Sequence, residues 1–479
     1  VPQRALEMSP YEIMLSESQE RMLLVAKAGR EEEVFEICRK WEVPACTIGR
    51  VIPETVLRLK HRGALAAELP LDRLLGSCPL YQRDAVPSEK QLSRQKKNAV
   101  TWDVPDDIGA LFKEMIVQPE LASKRWVYRQ YDHMVRAGTA VSPGSDAAVI
   151  RVKADSYPPL PVGEPKDEIP DKYLAMSVDC NGTQVYLDPY EGSKATVAEA
   201  ARNLVCSGAR PLGSTDNLNF GNPHNPELFW QLKESVRGLA EACEVFNTPV
   251  TGGNVSLYNQ NPAGAIDPTP TVGMVGIIDK PENITSQWFK DEGDAVILLG
   301  EPVNTEDPLF GLGGSALLQV EHGKKEGTPP PCDLEKEKLL QDAMLGLIET
   351  GAVKSAHDCS EGGLAVALAE CAISELTARQ SPNLTGADLD FSDIKCARID
   401  VLLFGENHGR VVITTSEAEA SAAVERAKLL GVPAQRIGAV TCGDALNIKC
   451  SESTFSWKIS VLHSAWWNSI STCLLYTSD

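Results

Sequence analysis

Met14-Leu15-Ser16-Glu17-Ser18-Gln19-Glu20-Arg21-Met22-Leu23-Leu24 returns, 389 positions later, as Leu403-Phe404-Gly405-Glu406-Asn407-His408-Gly409-Arg410-Val411-Val412-Ile413. Glu17 falls on Glu406, Arg21 falls on Arg410, and the apolar tails coincide. At the same offset Glu36 meets Glu425, and Val43-Pro44-Ala45 meets Val432-Pro433-Ala434. Ile48-Gly49 then meets Ile437-Gly438, and Val51 meets Val440. Nine identities in one ungapped register of 38 positions separate a repeat from a chance match of apolar strands. Each copy spells strand, helix, Pro turn, strand. In the first copy this predicts strands near 21–26 and 46–51 around a helix near 30–41. About 270 residues of organised sequence, from about Arg129, precede the second copy, and about fifteen precede the first. The expectation is a tandem repeat whose first unit is represented by its C-terminal part.

At 479 residues the chain is long enough for two to four domains. Lys plus Arg total 46 against 66 Asp plus Glu, a formal charge of −20. Such a surface disfavours nucleic acid and anionic membranes. Phosphate-bearing substrates would have to be held locally, by Mg2+, helix N-termini and backbone N–H groups. Thirteen cysteines scatter from Cys38 to Cys473 with no C-x-x-C pair. That argues against a disulfide framework or structural zinc site and for a reducing cytoplasm. No apolar run approaches the roughly 20 residues of a spanning helix. Val1-Pro2-Gln3-Arg4 has neither a signal-peptide core nor an initiator Met, which reads as an intracellular fragment.

The organisation predicted is α/β (α+β). Residues 1–100 form the C-terminal subdomain of a first, truncated unit, and 101–127 form a connector with a short helix, Ile108 to Met115. Residues 128–290 alternate strands (Leu174–Val178, Val272–Ile278) with helices. The best of these helices runs from Pro226 to Phe246, with Leu228, Leu232, Val236, Leu239 and Cys243 on one face. Residues 291–463 open with a buried strand at 295–299, carry a helix from Leu334 to Thr350 and include an exposed loop at 321–333. Residues 464–479 read as a non-native or frayed tail, because 471–479 shows neither periodicity nor caps.

Four constellations carry candidate chemistry. Thr251-Gly252-Gly253-Asn254-Val255-Ser256 ends a strand in two glycines, whose backbone N–H groups can approach a phosphate, followed by amide and hydroxyl donors suited to Mg2+ or substrate. Thr215-Asp216-Asn217-Leu218-Asn219-Phe220-Gly221-Asn222-Pro223 gathers one carboxylate and three amides in a segment that ends in a Gly/Pro turn. Both would equally serve as polar turns. Asp179 at a strand end, with Glu199 and Asn203 four apart on one helix face, can place two carboxylates and an amide around Mg2+, or form a solvated face. His357-Asp358-Cys359-Ser360-Glu361-Gly362-Gly363 runs a strand into a Gly-rich helix start, with Asp358 available to a metal and Ser360 to phosphate. His357 alone reads as structural. Phe310-Gly311-Leu312-Gly313-Gly314-Ser315 fits neither a Walker A nor a Rossmann fingerprint. No Ser-His-Asp triad, zinc cluster or nucleophilic Cys emerges.

Met8 to Met22 resembles a hallmark of the formylglycinamidine ribonucleotide synthetase subunit family. So do Arg129-Gln130-Tyr131-Asp132-His133, Pro143-Gly144-Ser145-Asp146-Ala147, Leu187-Asp188-Pro189-Tyr190-Glu191-Gly192 and the Asp216 and Gly253 segments. The match spans about residues 1–465 and resembles the small, multi-subunit type. The resemblance implies tandem ATP-binding units of the aminoimidazole ribonucleotide synthetase-like superfamily, each with two subdomains. It implies conversion of formylglycinamide ribonucleotide, ATP and ammonia into the amidine, ADP and phosphate. It further implies that the amide oxygen is phosphorylated and then displaced by ammonia, which would come from a separate glutaminase subunit bridged by a small third protein. By this resemblance Glu17, Ser18, Gln19 and Ser256 contact substrate, Asp216, Gly253 and Ser360 contact ATP, and Asn254 holds Mg2+. Asp179, Glu199, Asn203 and Asp358 look like the metal ligands of a second, pseudo-symmetric nucleotide site. The family's catalytic His residues belong to a part of the first unit not matched here, so the chain alone is expected to be inactive. The competing readings are a selenophosphate synthetase-like or aminoimidazole ribonucleotide synthetase-like member of the superfamily, and a nucleotide-stabilised scaffold without catalysis.

Overall fold

A computed structural model describes residues 1–3, 5, 7–17, 21–96, 102–154, 170–301, 307, 309–376, 381–451 and 453–476. They form two compact units, Val1–Gln82 and the described chain from Arg83 onward.

In the first unit, helix Pro10–Leu15 starts at a capping box. The Ser9 hydroxyl accepts from Glu12 N, and the Glu12 carboxylate accepts from Ser9 N. Helix Glu31–Lys40 carries Glu31, Glu32 and Glu33 in its first turn and Arg39 and Lys40 in its last, matching the helix dipole. Val56–His61 and Ala64–Pro70 form an antiparallel hairpin. The strands expected near 21–26 and 46–51 are not formed. Met22, Val25 and Val51 are 88%, 78% and 81% exposed. A strand needs a neighbour to satisfy its N–H and C=O groups, and no partner pairs with these segments among the described residues.

The second unit holds two sheets. The first has six strands in the order Thr139–Val141, Ala148–Val152, Lys172–Asp179, Thr269–Ile278, Arg210–Asn219, Val250–Ser256. Only the last pair is parallel. Ala175, Ser177, Val272, Met274 and Leu218 are buried beneath helices Pro189–Cys206 and Pro226–Phe246, while Val178 on the opposite face is 73% exposed. The 226–246 helix has the predicted bounds but a rotated buried face. Ser235, Gly238, Leu239, Ala242, Cys243 and Phe246 are buried, and Val236 is exposed. Small residues decided this: a Cβ on Gly238 would lie 2.3 Å from Tyr190 O, so the two helices approach closely where glycine allows it.

The second sheet runs Val353–Asp358, Val411–Thr415, Ala295–Leu299, Ala434–Thr441, Gly386–Asp390, Leu446–Cys450, Ser453–Trp457. Ile297, Ile413, Leu347 and Ala427 share the core under helices Leu334–Glu349 and Ala420–Leu429. Phe112, Leu364, Phe404 and Trp457 fill the other side. Helix Ile108–Met115, predicted as part of a connector, buries Ile108, Leu111, Phe112 and Met115 in that core. Two further expectations are corrected. The 321–333 loop is half buried: Glu326 accepts from the Trp102 indole at 3.4 Å, and Cys332 is buried. The frayed tail from 464 is instead the continuation of helix Ile459–Tyr476. Trp466 is buried there and donates to Leu121 O at 3.0 Å.

Candidate functional site

Two polar constellations share one row of the six-stranded sheet. Val272 on the central strand pairs with Asp179 on one side and Asp216 on the other, and Asp216 pairs with Gly253. Alternation along each strand puts Asp179 and Asp216 on the helix-covered face.

At the Asp179 end the row runs into a buried acid cluster. Asn203, on the 189–206 helix, donates to Asp179 at 3.3 Å. Arg202 on the same helix donates to Glu337 at 2.7 Å and to Asp358 at 3.3 Å, and lies 3.7 Å from Glu199. Asn181 donates to Glu361 at 3.1 Å. Three carboxyl groups thus lie against one guanidinium, Asp179 and Glu361 add their charge nearby, and Lys124 has a weaker positive influence on Glu361. Burial, then Glu361 and Asp358, push Asp179 well above the usual carboxylate range. Glu199 follows, through burial and then Asp179, Glu361 and Asp358. Burial opposes the charge on Arg202, but Glu337, Asp358 and Glu199 outweigh it and raise its pKa. Among the described residues, Arg202 Nε, Glu337 Oε2 and Glu406 Oε2 are buried with no hydrogen-bond partner. Excess buried negative charge with orphaned polar atoms is the donor chemistry that a hard divalent cation and its polar ligands satisfy, so the residues fit Mg2+.

At the other end Asp216 and Asn217 face Gly253 and Asn254 across the parallel pair. A Cβ at Gly253 would sit 1.9 Å from Asp216 Oδ1, so only glycine leaves room for that carboxyl group. Partial burial raises the Asp216 pKa. Asn254 is exposed and donates to Asn217 Oδ1 at 3.4 Å. Ser256 ends the strand. Asn259 donates to its carbonyl at 2.9 Å and its hydroxyl at 3.1 Å, in a turn where Tyr258 has φ 63°. Residues 258–261 and 263–266 line a cavity of about 580 Å3.

Of the other expected residues, Ser360 lies in the turn between strand 353–358 and helix Gly363–Ile373, beside the acid cluster, and its carbonyl accepts from Gly363 N. Glu17 is exposed in the first unit, and Ser18 and Gln19 lie outside the described residues. The counterpart of Glu17 behaves differently. Glu406 is 3% exposed, and its Oε1 accepts from Gly362 N and Ala316 N, both at 2.8 Å. Burial and the Glu361 charge push its pKa to about 8. The reading from sequence missed Arg202, Glu337, Glu361 and Asp146. Arg202 was findable, three residues after Glu199 on the same helix, and Glu361 lay inside the quoted Asp358 segment. Glu337 carried no signal beyond its helix.

Two family profiles match this chain. "AIR synthase related protein, N-terminal domain" covers residues 144–278, and "AIR synthase related protein, C-terminal domain" covers both 1–62 and 291–451. The double match of one profile is the repeat seen at the 389-residue offset. Among curated proteins, the "Phosphoribosylformylglycinamidine synthase subunit PurL" of Anaeromyxobacter dehalogenans is 44% identical over 477 residues, 99% of this chain and 60% of that protein. The protein of the same name from Moorella thermoacetica is 44% identical over 92% of this chain and 56% of its own length. The chain belongs to the PurL family. It spans about 60% of the length of the curated PurL relatives it matches. Among solved structures, "T. maritima PurL complexed with FGAR" aligns with a TM-score of 0.57 at 18% identity, covering 75% of this chain and 54% of that one. "Structure of PurLQS from Thermotoga maritima" aligns at 0.51 and 25% identity, covering 92% of this chain and 58% of that one. The fold is that of the AIR synthase related proteins. Among the described residues no helix is long and apolar enough to cross a membrane, and all thirteen cysteines are free thiols.

Proposed function

We propose that this chain is part of an ATP-dependent carbon–nitrogen ligase of purine biosynthesis. It converts formylglycinamide ribonucleotide and ammonia to formylglycinamidine ribonucleotide with formation of ADP and phosphate. The single supporting observation is the edge of the six-stranded sheet, where Asp216, Gly253, Asn254 and Ser256 stand in adjoining register on two parallel strands. In this reading Asp216 and the bare Gly253 backbone receive ATP, and Ser256 meets the substrate. Asn254 would hold Mg2+, which supplies neutralisation of phosphate charge. Asn259 fixes the Ser256 hydroxyl, so its direction is set before substrate arrives. Glu17, Ser18 and Gln19 are proposed as substrate-contacting residues of the first unit.

Ammonia comes from a partner in this reading. A glutaminase needs a reactive thiolate, whereas burial pushes Cys180 and Cys371 up to about 12 and raises Cys206 and Cys359 as well. A separate glutaminase subunit and a small bridging protein fit that need, as does a reducing cytoplasm. The buried cluster of Asp179, Glu199, Asn203 and Asp358, with Ser360, supports a second Mg2+-nucleotide site with a structural role, since it is enclosed where strands 172–179 and 353–358 end. The 479-residue chain alone is expected to be inactive in this reading; among the described residues Glu17 stands in an exposed segment.

Asp216→Asn and Asn254→Ala in the whole enzyme test the reading. Each is expected to lower ammonia-dependent amidine formation at least 100-fold while Glu199→Gln chiefly lowers the melting temperature. Turnover at native rates in both edge variants, or from this chain alone, would refute it.

A further inference from the structure

His357 sits at the end of strand 353–358 with both ring nitrogens engaged by acids. Nδ1 lies 2.6 Å from Asp146 Oδ1 and 3.8 Å from Asp358 Oδ1, while Nε2 lies 3.1 Å from Glu370 Oε2. The Asp146, His357 and Asp358 side chains are 2%, 8% and 3% exposed. One ligand atom from each lies within 4.8 Å of the other two. Asp146 Oδ2, on the carboxyl group that touches the imidazole, is buried and has no hydrogen-bond partner.

We propose that Asp146, His357 Nδ1 and Asp358 form a divalent transition-metal site distinct from the oxygen-only Mg2+ cluster and joined to it through Asp358. Three features carry this. The first is the pairing of Nε2 with Glu370, because a metal-ligating histidine directs its second N–H to a carboxylate that fixes ring and tautomer. That leaves Nδ1 facing two carboxylates. The second is spacing. Ligands about 2.0–2.2 Å from one ion stand roughly 3–3.6 Å apart, and the observed 2.6 and 3.8 Å bracket that range. Asp146 Oδ2 has no other partner to give up when that carboxyl group turns toward an ion. The third is donor type. One imidazole nitrogen with two carboxylates suits Mn2+, Co2+ or Zn2+, whereas Mg2+ prefers an all-oxygen shell. Three protein ligands leave coordination positions open to water or to a phosphate oxygen.

The test is Co2+ titration of the metal-stripped 479-residue chain in excess Mg2+, which fills the oxygen-only cluster. Expected is one tight Co2+ per chain with visible d–d absorption and no intense thiolate charge-transfer band. Asp146→Asn and His357→Gln should each weaken Co2+ at least tenfold, with far-ultraviolet circular dichroism reporting that the fold persists. Glu199→Gln should lower Mg2+-nucleotide affinity and leave Co2+ affinity within threefold, so failure of the magnesium reading is seen separately. Absence of stoichiometric Co2+ binding in the unsubstituted chain overturns the proposal without reference to any variant. So does Co2+ affinity unchanged in both Asp146→Asn and His357→Gln.

Discussion

Residues 10–52 and 399–441 are two copies of one sequence pattern with two physical fates. Helix Pro10–Leu15 corresponds to Ile399–Phe404, and Glu31–Lys40 to Ala420–Leu429, each end shifted by 389. The helices agree because helical hydrogen bonds are local and each segment carries its own. The strands do not agree. Val411–Thr415 is fully buried and pairs with 295–299 and 353–358, and Ala434–Thr441 pairs with 295–299 and 386–390. Their counterparts at 22–26 and 45–52 have no such neighbours among the described residues and lie exposed. Sequence writes a strand's readiness to pair, and the pairing itself requires other strands.

The sharpest way to break this comparison is paired core truncation. Ile413→Ala should cost about 2–5 kcal/mol of stability by urea unfolding, because Ile413 is fully buried. Leu24→Ala, its counterpart at 67% exposure, should change stability by less than about 0.5 kcal/mol. Equal costs would show that 22–26 is packed after all.

The next contrast is the shared arginine. Arg410 is buried and donates to Gly405 O at 2.6 Å and Asn407 O at 3.2 Å. Arg410→Met should lose about 1.5–3 kcal/mol, the worth of charge-assisted bonds to buried carbonyls. The exposed Arg21→Met should leave the unfolding midpoint unmoved. A tolerant Arg410 would mean that this loop relaxes freely.

The shared glutamate gives an opposite sign. Glu406, with a pKa of about 8, keeps its proton in the native state where the unfolded chain releases it near the ordinary 4.3. Native protein therefore binds more protons between these values, so the contribution of Glu406 to stability declines as pH rises through that window. Both backbone donors reach the same Oε1, so Glu406→Gln retains both bonds and removes the charge. It should stabilise by about 1–3 kcal/mol at pH 8 and flatten the pH slope. Glu17→Gln should do neither. A destabilised Glu406→Gln would contradict the assigned ionisation.

The smallest effect concerns the helices that coincide. Ser9→Ala removes the capping box of 10–15 and should lower local helix stability by about 1 kcal/mol, read by amide exchange. The protection of 399–404 should not change.

Much of the site was legible because its residues cluster in sequence. Gly253-Asn254 and Asp216-Asn217 stood out as dense polar runs, and Glu199 with Asn203 as one helix face. Glu337 was invisible and Asp146 stood only within the Pro143–Ala147 segment without a role, because they meet their partners from 135 positions after Arg202 and 211 before His357. The apolar stripe on 226–246 misled for a related reason: periodicity rewards large side chains, whereas this contact is made through Gly238 and Ser235. The stretch 471–479 looks featureless and 464–479 reads as a tail in sequence, although Trp466 and His463 anchor helix Ile459–Tyr476 through bonds to distant carbonyls.

By itself the sequence determined the repeat, the helices and the polar strand ends, since each rests on neighbours within a few turns of chain. Tertiary structure alone decided which repeat strand enters a sheet, and that Glu406 is buried where Glu17 is exposed. It also gathered Glu199, Glu337 and Asp358 around Arg202. Those outcomes depend on partners far away in the chain, and on a buried charge whose energy exists only once water has been excluded.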